Sequence, residues 1–257
     1  MTGRGVLGEK RRLDVRAVIT AGGTVDGAFA EAIGTPVKAL APFGARTLLD
    51  VVLDACEAAG IDGVAVVGGR EIRAHLRGRD VRIIDDTGDG SRNVLRALEA
   101  WPSERFLYLT SDLPFVDANA IVDLAQRSDG AALTMGLCSG DAYDGRFPDA
   151  PPHGVVLRGE RIVNACAFVV APAAVEPVRS FATRFFAARK SLAALALLLG
   201  PVLCARFALR RLGVAEIERH ARHTLGIPVA AIRDCDPGLC YDVDSLDEYA
   251  YACARSA

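Results

Sequence analysis

An α/β fold with a doubly wound, mainly parallel mixed sheet of Rossmann-like form is what this sequence predicts, and three observations predict it. Short continuous apolar strands alternate with amphipathic helices through the first 140 residues. Such strands are covered on both faces, which is the signature of parallel sheets wrapped by helices. Polar residues collect just beyond the strand ends, where open α/β sheets build ligand sites. Finally, 51% of the residues are hydrophobic and no long polar tract interrupts them, so one core is more economical than several.

The elements follow in order. Residues 1–14 read as a charged lead-in. Residues 16–20 form a buried strand running into Ala21-Gly22-Gly23, and 47–59 carry apolar residues at helical spacing up to the stop at Gly60. Strands are expected over 64–67 and 81–84, the second ended by Asp85-Asp86. A short helix is expected over 93–100, then a strand over 106–109 that delivers Thr110, Ser111 and Asp112. A helix over 118–126 and a strand over 131–137 complete the regular part. Residues 141–152, rich in Asp, Gly and Pro, read as a loop. Strands over 153–157 and 161–170 come next. A C-terminal helical insertion over 173–224 follows, broken at Gly200-Pro201 and Gly213. A strand over 229–232 and a helix over 245–252 close the chain.

Charge and cysteine usage narrow the class. A net charge of −2 provides no general field for nucleic acid, so no nucleic-acid partner is expected. Seven cysteines, an odd number without a CxxC pair, argue against structural zinc and a disulfide framework. With no apolar run before Leu13 to serve as a signal peptide, a cytoplasmic location is expected.

The loop Ala21-Gly22-Gly23-Thr24 directly follows a buried strand, and glycine lets backbone N–H groups approach a phosphate closely. It lacks the Gly-Lys-Ser/Thr of a Walker loop and the GxGxxG of dinucleotide folds, so a plain tight turn is the competing reading. Lys38 stands in the apolar, proline-flanked stretch 35–42. A buried lysine needs a carboxylate, an anionic ligand or a route to solvent. If it only met a ligand phosphate, Lys38→Met would cost little in folding.

Three carboxylates stand out. Asp112 lies just past a strand in Leu109-Thr110-Ser111-Asp112-Leu113-Pro114, and Asp242 and Asp244 flank Val243 near the C-terminus. Carboxylates meeting at one sheet edge suit Mg²⁺ (or Mn²⁺), which takes one or two of them plus phosphate oxygens and water. The plainer readings are a turn cap for Asp112 and a helix N-cap for Asp244. Ser91 and Asn93 precede or open a helix; they read either as caps or as small polar groups that meet a base or ribose.

With these residues in place the chain resembles the MobA-like nucleotidyltransferases, of the nucleotide-diphospho-sugar (GT-A type) transferase fold. The supporting stretches are Val18-Ile19-Thr20-Ala21-Gly22-Gly23, Val37-Lys38-Ala39-Leu40, Tyr108-Leu109-Thr110-Ser111-Asp112-Leu113-Pro114 and Asp242-Val243-Asp244-Ser245-Leu246-Asp247-Glu248. The resemblance implies one nucleotidyltransferase domain over 1–257, with a nucleotide-binding half (15–140) and an acceptor-side half (141–257). It implies transfer of a nucleoside monophosphate from an NTP to a phosphate-bearing or hydroxyl acceptor, with release of pyrophosphate. Gly22 and Gly23 would hold the triphosphate, Lys38 a phosphate, Asp112 and Asp244 the metal, and Asn93 would lie near the base or sugar. The family usually carries an arginine shortly after the glycine loop. Residues 24–30 have none, which leaves Arg46, Arg70 or Arg92 to take its part and keeps open a binding module without turnover; a glycosyltransferase is the remaining alternative.

Residues 191–205 are the most apolar stretch, too short to span a bilayer, and read as a buried helix. With the bend at Gly200-Pro201, the expectation is a hairpin packed over the acceptor side as a lid or homodimer surface. A shallow membrane contact is the less favoured reading.

Overall fold

The structure, a computed structural model, describes residues 13–188 and 191–256. Among them an eight-stranded sheet is built on a central strand β1 (Arg16–Thr20). Parallel to it run β4 (Val64–Gly68) and, beyond that, β5 (Arg82–Asp85) on one side, and β6 (Phe106–Thr110) on the other. The eleven-residue β9 (Glu160–Val170) then lies antiparallel to β6 and to its next neighbour, β7 (Leu133–Ser139). Strand β10 (Val229–Ile232) pairs parallel to β7, and the short β8 (Val155–Leu157) pairs antiparallel with the start of β9. A separate two-stranded ribbon, β2 (Pro42–Phe43) with β3 (Arg46–Thr47), leads into the first long helix.

Alternation along the strands feeds two cores. Ala17, Ile19, Val66, Leu107 and Leu109 face one side, where α2 (Leu48–Ala58) and α5 (Ala118–Arg127) pack. Val18, Ala65, Val67, Phe106 and Tyr108 face the other, against α4 (Gly90–Leu98) and α7 (Pro172–Ala188). Helix α2 starts where it does because Thr47 and Asp50 form a reciprocal capping box, which satisfies two otherwise orphaned N–H groups.

Four segments depart from the sequence expectation. Residues 140–146 form helix α6 (Gly140–Arg146) rather than a loop: Ser139 caps it, and Tyr143 is buried against Phe147 and Tyr241, so aromatic burial outweighs the Asp and Gly content. Two further short helices, α1 (Gly27–Ile33) and α3 (Arg70–His75), occupy stretches without a strong apolar period. Helix α4 begins at Gly90, capped by the Asp89 side chain on the Arg92 N–H, so neither Ser91 nor Asn93 is its cap.

The insertion breaks where expected, into α7, α8 (Leu192–Leu199), α9 (Pro201–Ala208) and α10 (Val214–Leu225). Its most apolar part has no buried side chain among the described residues. No residue of α9 is buried, and Leu197 of α8 is 83% exposed. Helix α7 already covers the sheet on that side, so the hairpin rests on α7 and on a small cluster of Leu137, Leu157, Ile162 and Leu212, with outward faces uncovered.

The 3₁₀ turn Pro237–Leu239 sets the course of the segment after β10. A Cβ on Gly238 would stand 2.4 Å from the Phe115 carbonyl oxygen, a backbone atom that cannot move aside. Gly238→Ala should therefore lower stability by about 1–3 kcal/mol. Gly145→Ala in α6, whose Cβ meets nothing within 4 Å, should be neutral or stabilising by at most ~1 kcal/mol. Denaturant titration of the two variants checks the pair.

Candidate active site

Three chain segments converge at the C-terminal ends of β1 and β6. The first is the loop 21–38. Its neck is closed by a bridge between Thr24 and Val37, by Lys38 N–H donating to the Gly23 carbonyl at 3.0 Å, and by Val25 N–H donating to the Pro36 carbonyl at 2.9 Å. Helix α1 fills the loop, and the neck places Lys38, in a 3₁₀ turn (Lys38–Leu40), directly behind Gly23. The second segment is residues 110–112, at and just past the end of β6. The third is 242–244, held in extended register because the Val243 N–H donates to the Asp112 carbonyl at 3.1 Å.

That last bond explains how carboxylates so far apart in sequence meet. Oxygens of Asp112, Asp242 and Asp244 all lie within 4.8 Å of one another. Glu248 fixes the backbone beyond them, accepting from the N–H groups of Asp244 and Ser245 at 2.7 Å each. Ser245, not Asp244, is the N-cap of α11 (Leu246–Cys253), so the carboxylate of Asp244 is left for the cluster. Asp112 is no turn cap either: one of its oxygens is on Lys38.

Lys38 sits among these acids. Its Nζ contacts Asp112 and lies 2.6 Å from Asp244, with its side chain only 15% exposed. Burial opposes the ammonium charge, but Asp112 and then Asp244 hold its pKa above the ordinary lysine value. Asp242 is the strained member. Burial, then the neighbouring Asp112 and Asp244, push its pKa up to about 6, although Lys38 and a hydrogen bond with Cys166 work in the other direction. Burial and the same carboxylates drive the Cys166 thiol far upward, so Cys166 stays protonated and serves as a donor to Asp242.

Two buried oxygens at this edge have no partner, Asp112 Oδ1 and Thr110 Oγ1. A buried, unsatisfied carboxylate oxygen facing further carboxylates is the donor set a hard divalent cation takes. The residues present therefore fit Mg²⁺ or Mn²⁺, with Asp112, Asp242 and Asp244 all in reach.

On the other flank, Asn93 is buried beside Gly22, just past the C-terminal end of β1. Its amide donates to Asp86, and its oxygen accepts from the Thr87 N–H and hydroxyl, both at 2.9 Å. Gly22 packs onto this pair so closely that a Cβ would come within 2.5 Å of Asn93 Nδ2 and 2.9 Å of Asp86 Oδ1. Asp86 and Thr87 were not singled out by sequence. The signal was available, since Asp86 stands just past a strand end as Asp112 does. Ser91 is half-buried two residues before Asn93 in α4, and Thr24 is exposed at the loop neck.

A hollow of about 680 Å³ at the opposite end of β1 and β6 is lined by Leu13, Arg16 and Arg105 among others. Its carboxylates include Glu104 and Asp129, paired with Arg16 and Arg105, whereas the close group of three carboxylates among the described residues is Asp112, Asp242 and Asp244 at the other edge.

Compared with known proteins, residues 17–222 match the MobA-like NTP transferase domain. The chain belongs to that family. Among solved structures, a hypothetical transferase from Thermus thermophilus is 28% identical with a TM-score of 0.79, over 91% of this chain and 99% of that one. A nucleotidyl transferase from Methanothermobacter thermautotroptrophicus is 16% identical (TM-score 0.57; 94% and 97% covered). A 4-diphosphocytidyl-2C-methyl-D-erythritol synthase from Anaerococcus prevotii is 12% identical (TM-score 0.56; 94% and 95%). These share the α/β nucleotide-diphospho-sugar transferase fold expected from sequence. No curated protein matches the chain.

For a MobA-like chain the departure after the glycine loop is now concrete. Arg46 is occupied with Asp54 at 3.0 Å, while Arg70 is 93% exposed beside Glu71 and Arg92 is exposed on α4. Asp26 is exposed at the start of α1.

Lys38 corrects one expectation. Its partner is a buried carboxylate, so Lys38→Met does not leave folding untouched: it strands Asp112 beside two more acids. The variant should lose about 3 kcal/mol of stability in metal-free buffer. Added Mg²⁺ should return part of that loss, as thermal unfolding with and without the ion will show.

Proposed function

We propose that this chain is a Mg²⁺- or Mn²⁺-dependent nucleotidyltransferase that moves a nucleoside monophosphate from an NTP to a phosphate-bearing or hydroxyl acceptor and releases pyrophosphate. The observation that carries the reading is the convergence of Asp112, Asp242 and Asp244 on Lys38 beside the Gly22-Gly23 loop.

Each residue has a task in that chemistry. In the loop Ala21-Gly22-Gly23-Thr24, the two glycines carry no Cβ, so the backbone N–H groups can come close to the triphosphate. Lys38 supplies a fixed positive charge where negative charge develops at the α-phosphate, and the neck bonds hold it there. Asp112, Asp242 and Asp244 hold the cation, which when bound neutralises and orients the triphosphate. The Asn93–Asp86–Thr87 cluster, with Ser91 nearby, lines the place for base or ribose. No side-chain nucleophile is needed, because an acceptor oxygen attacks phosphorus in line. We place the nucleotide on 15–140 and the acceptor on 141–257, as halves of one domain.

The bare loop after Gly23, with Asp26 in place of a basic group, favours a second reading: binding without turnover. The two separate on one series. Scanning fluorimetry with each NTP should raise the melting temperature only when Mg²⁺ is present. At a hundredfold excess over Kd the gain is ~2.7 kcal/mol, roughly 5–10 °C for a chain of this size. Asp112→Asn, Asp242→Asn and Asp244→Asn should each reduce that shift and lower pyrophosphate release by roughly two to three orders of magnitude. No stabilisation by any NTP would end both readings; stabilisation without pyrophosphate release across phosphorylated and alcohol acceptors would leave the binding module.

A further inference from the structure

Charge along the chain is strongly uneven. Residues 177–215 carry seven basic residues and no acidic one, whereas the rest carries 23 basic against 32 acidic. Among the described ones, Arg179 forms ion pairs with Glu176 and Glu99, and Arg206 with Glu216, while Arg184 lies over the Phe181 ring. Arg184, Arg210 and Arg211 are exposed.

The same segment holds the three most exposed large apolar side chains among the described residues. Leu197 is 83% exposed, Val202 65% and Leu209 64%, and Phe207, at 52%, stands with them. Helix α8 has no polar side chain at any of its eight positions (LAALALLL). A helix apolar all round is at rest only in an apolar medium, and α7 covers one side of it. Exposed apolar surface on a stretch bracketed in sequence by exposed arginines is the pattern of an interaction site rather than of a solvated face.

What occupies it follows from the charge. A second copy in two-fold contact would bring the same basic segment against itself, with no acid between 177 and 215 to relieve the repulsion. An occupant with apolar depth and negative charge together removes both problems. Each helix is eight residues, about 12 Å long, so neither can span a bilayer. None of the described helices is long and apolar enough to do so.

We propose that the α8–α9 hairpin docks on the surface of an anionic phospholipid bilayer. Leu197, Val202, Phe207 and Leu209 enter the boundary of the acyl region, and Arg184, Arg210 and Arg211 meet lipid phosphates. The hairpin rests against Leu137, Leu157 and Ile162, near the end of β7 and the start of β9. That is the same end of the sheet as Asp112, so docking would hold the catalytic edge close to the membrane.

Flotation of the whole chain with vesicles tests this without any enzymatic readout. It should rise with phosphatidylcholine vesicles containing phosphatidylglycerol, stay down with phosphatidylcholine alone, and be released by high salt. Replacing Leu197, Val202, Phe207 and Leu209 together by Ser should cut the floating fraction about tenfold or more, and so should Arg210→Glu with Arg211→Glu. All these side chains are exposed, so melting temperature and NTP-induced stabilisation should hold; the arginine pair keeps the test valid if the serine variant misfolds. A wild type that stays in the bottom fraction, or floats equally with both variants, overturns the proposal. So does a wild-type dimer, seen by light scattering, that the serine substitutions dissociate without any flotation.

Discussion

Three carboxylates within 4.8 Å of one another at the end of a buried sheet cannot all stay charged without a cation among them. In this protein Lys38 is that cation, and much of the neighbouring architecture exists to deliver it. The bridge at the neck of the glycine loop, the 3₁₀ turn that follows, and the Val243–Asp112 backbone bond all serve one placement. The cost of the arrangement shows on Asp242, whose carboxyl is driven up to about 6 chiefly by burial. A site of this kind is balanced rather than relaxed. One ammonium offsets part of three negative charges, and the remainder is what makes the cluster receptive to a further cation.

The sheet was legible in sequence because its strands are continuous apolar runs with glycine or acid at their ends, and these survive without knowledge of partners. Asp112, Lys38 and the 242–244 pair were legible for a related reason: a charged residue inside an apolar stretch must have a counterpart. What the sequence leaves dark is the counterpart itself. Lys38 finds Asp112 and Asp244 through a fold-level convergence that no local spacing encodes. Helix α6 was hidden because Asp141, Asp144 and Gly145 resemble a loop, while the decisive event is the burial of Tyr143 against residues from 147 and 241. The hairpin erred in the other direction. Its composition measures how much surface wants to leave water, and says nothing of whether the chain supplies the cover; α7 had already taken the place on the sheet.

The two flanks of the site are built differently. Around Asp112 the geometry comes from charge, so it responds to ions and to substitution at a distance. Around Asn93 it comes from contact: Gly22 lies against an amide–carboxylate pair, and Thr87 saturates the remaining acceptor. Recognition that depends on small, saturated polar groups discriminates by shape and hydrogen-bond pattern, whereas recognition by charge discriminates little among triphosphates.

Strand β9 has a consequence for the order in which this chain can be assembled on the ribosome. Its two neighbours, β6 and β7, are both translated before it, yet neither pairs with the other. Until residue 170 has emerged, β6 presents an open, apolar backbone edge, and β7 has no strand to join, since β10 comes later still. The nascent protein thus carries an unpaired sheet edge through the synthesis of about sixty residues, a period in which edge-to-edge association competes with native closure. Slow translation between β6 and β9 would lengthen that exposure, and arrival of β9 ends it on both sides at once.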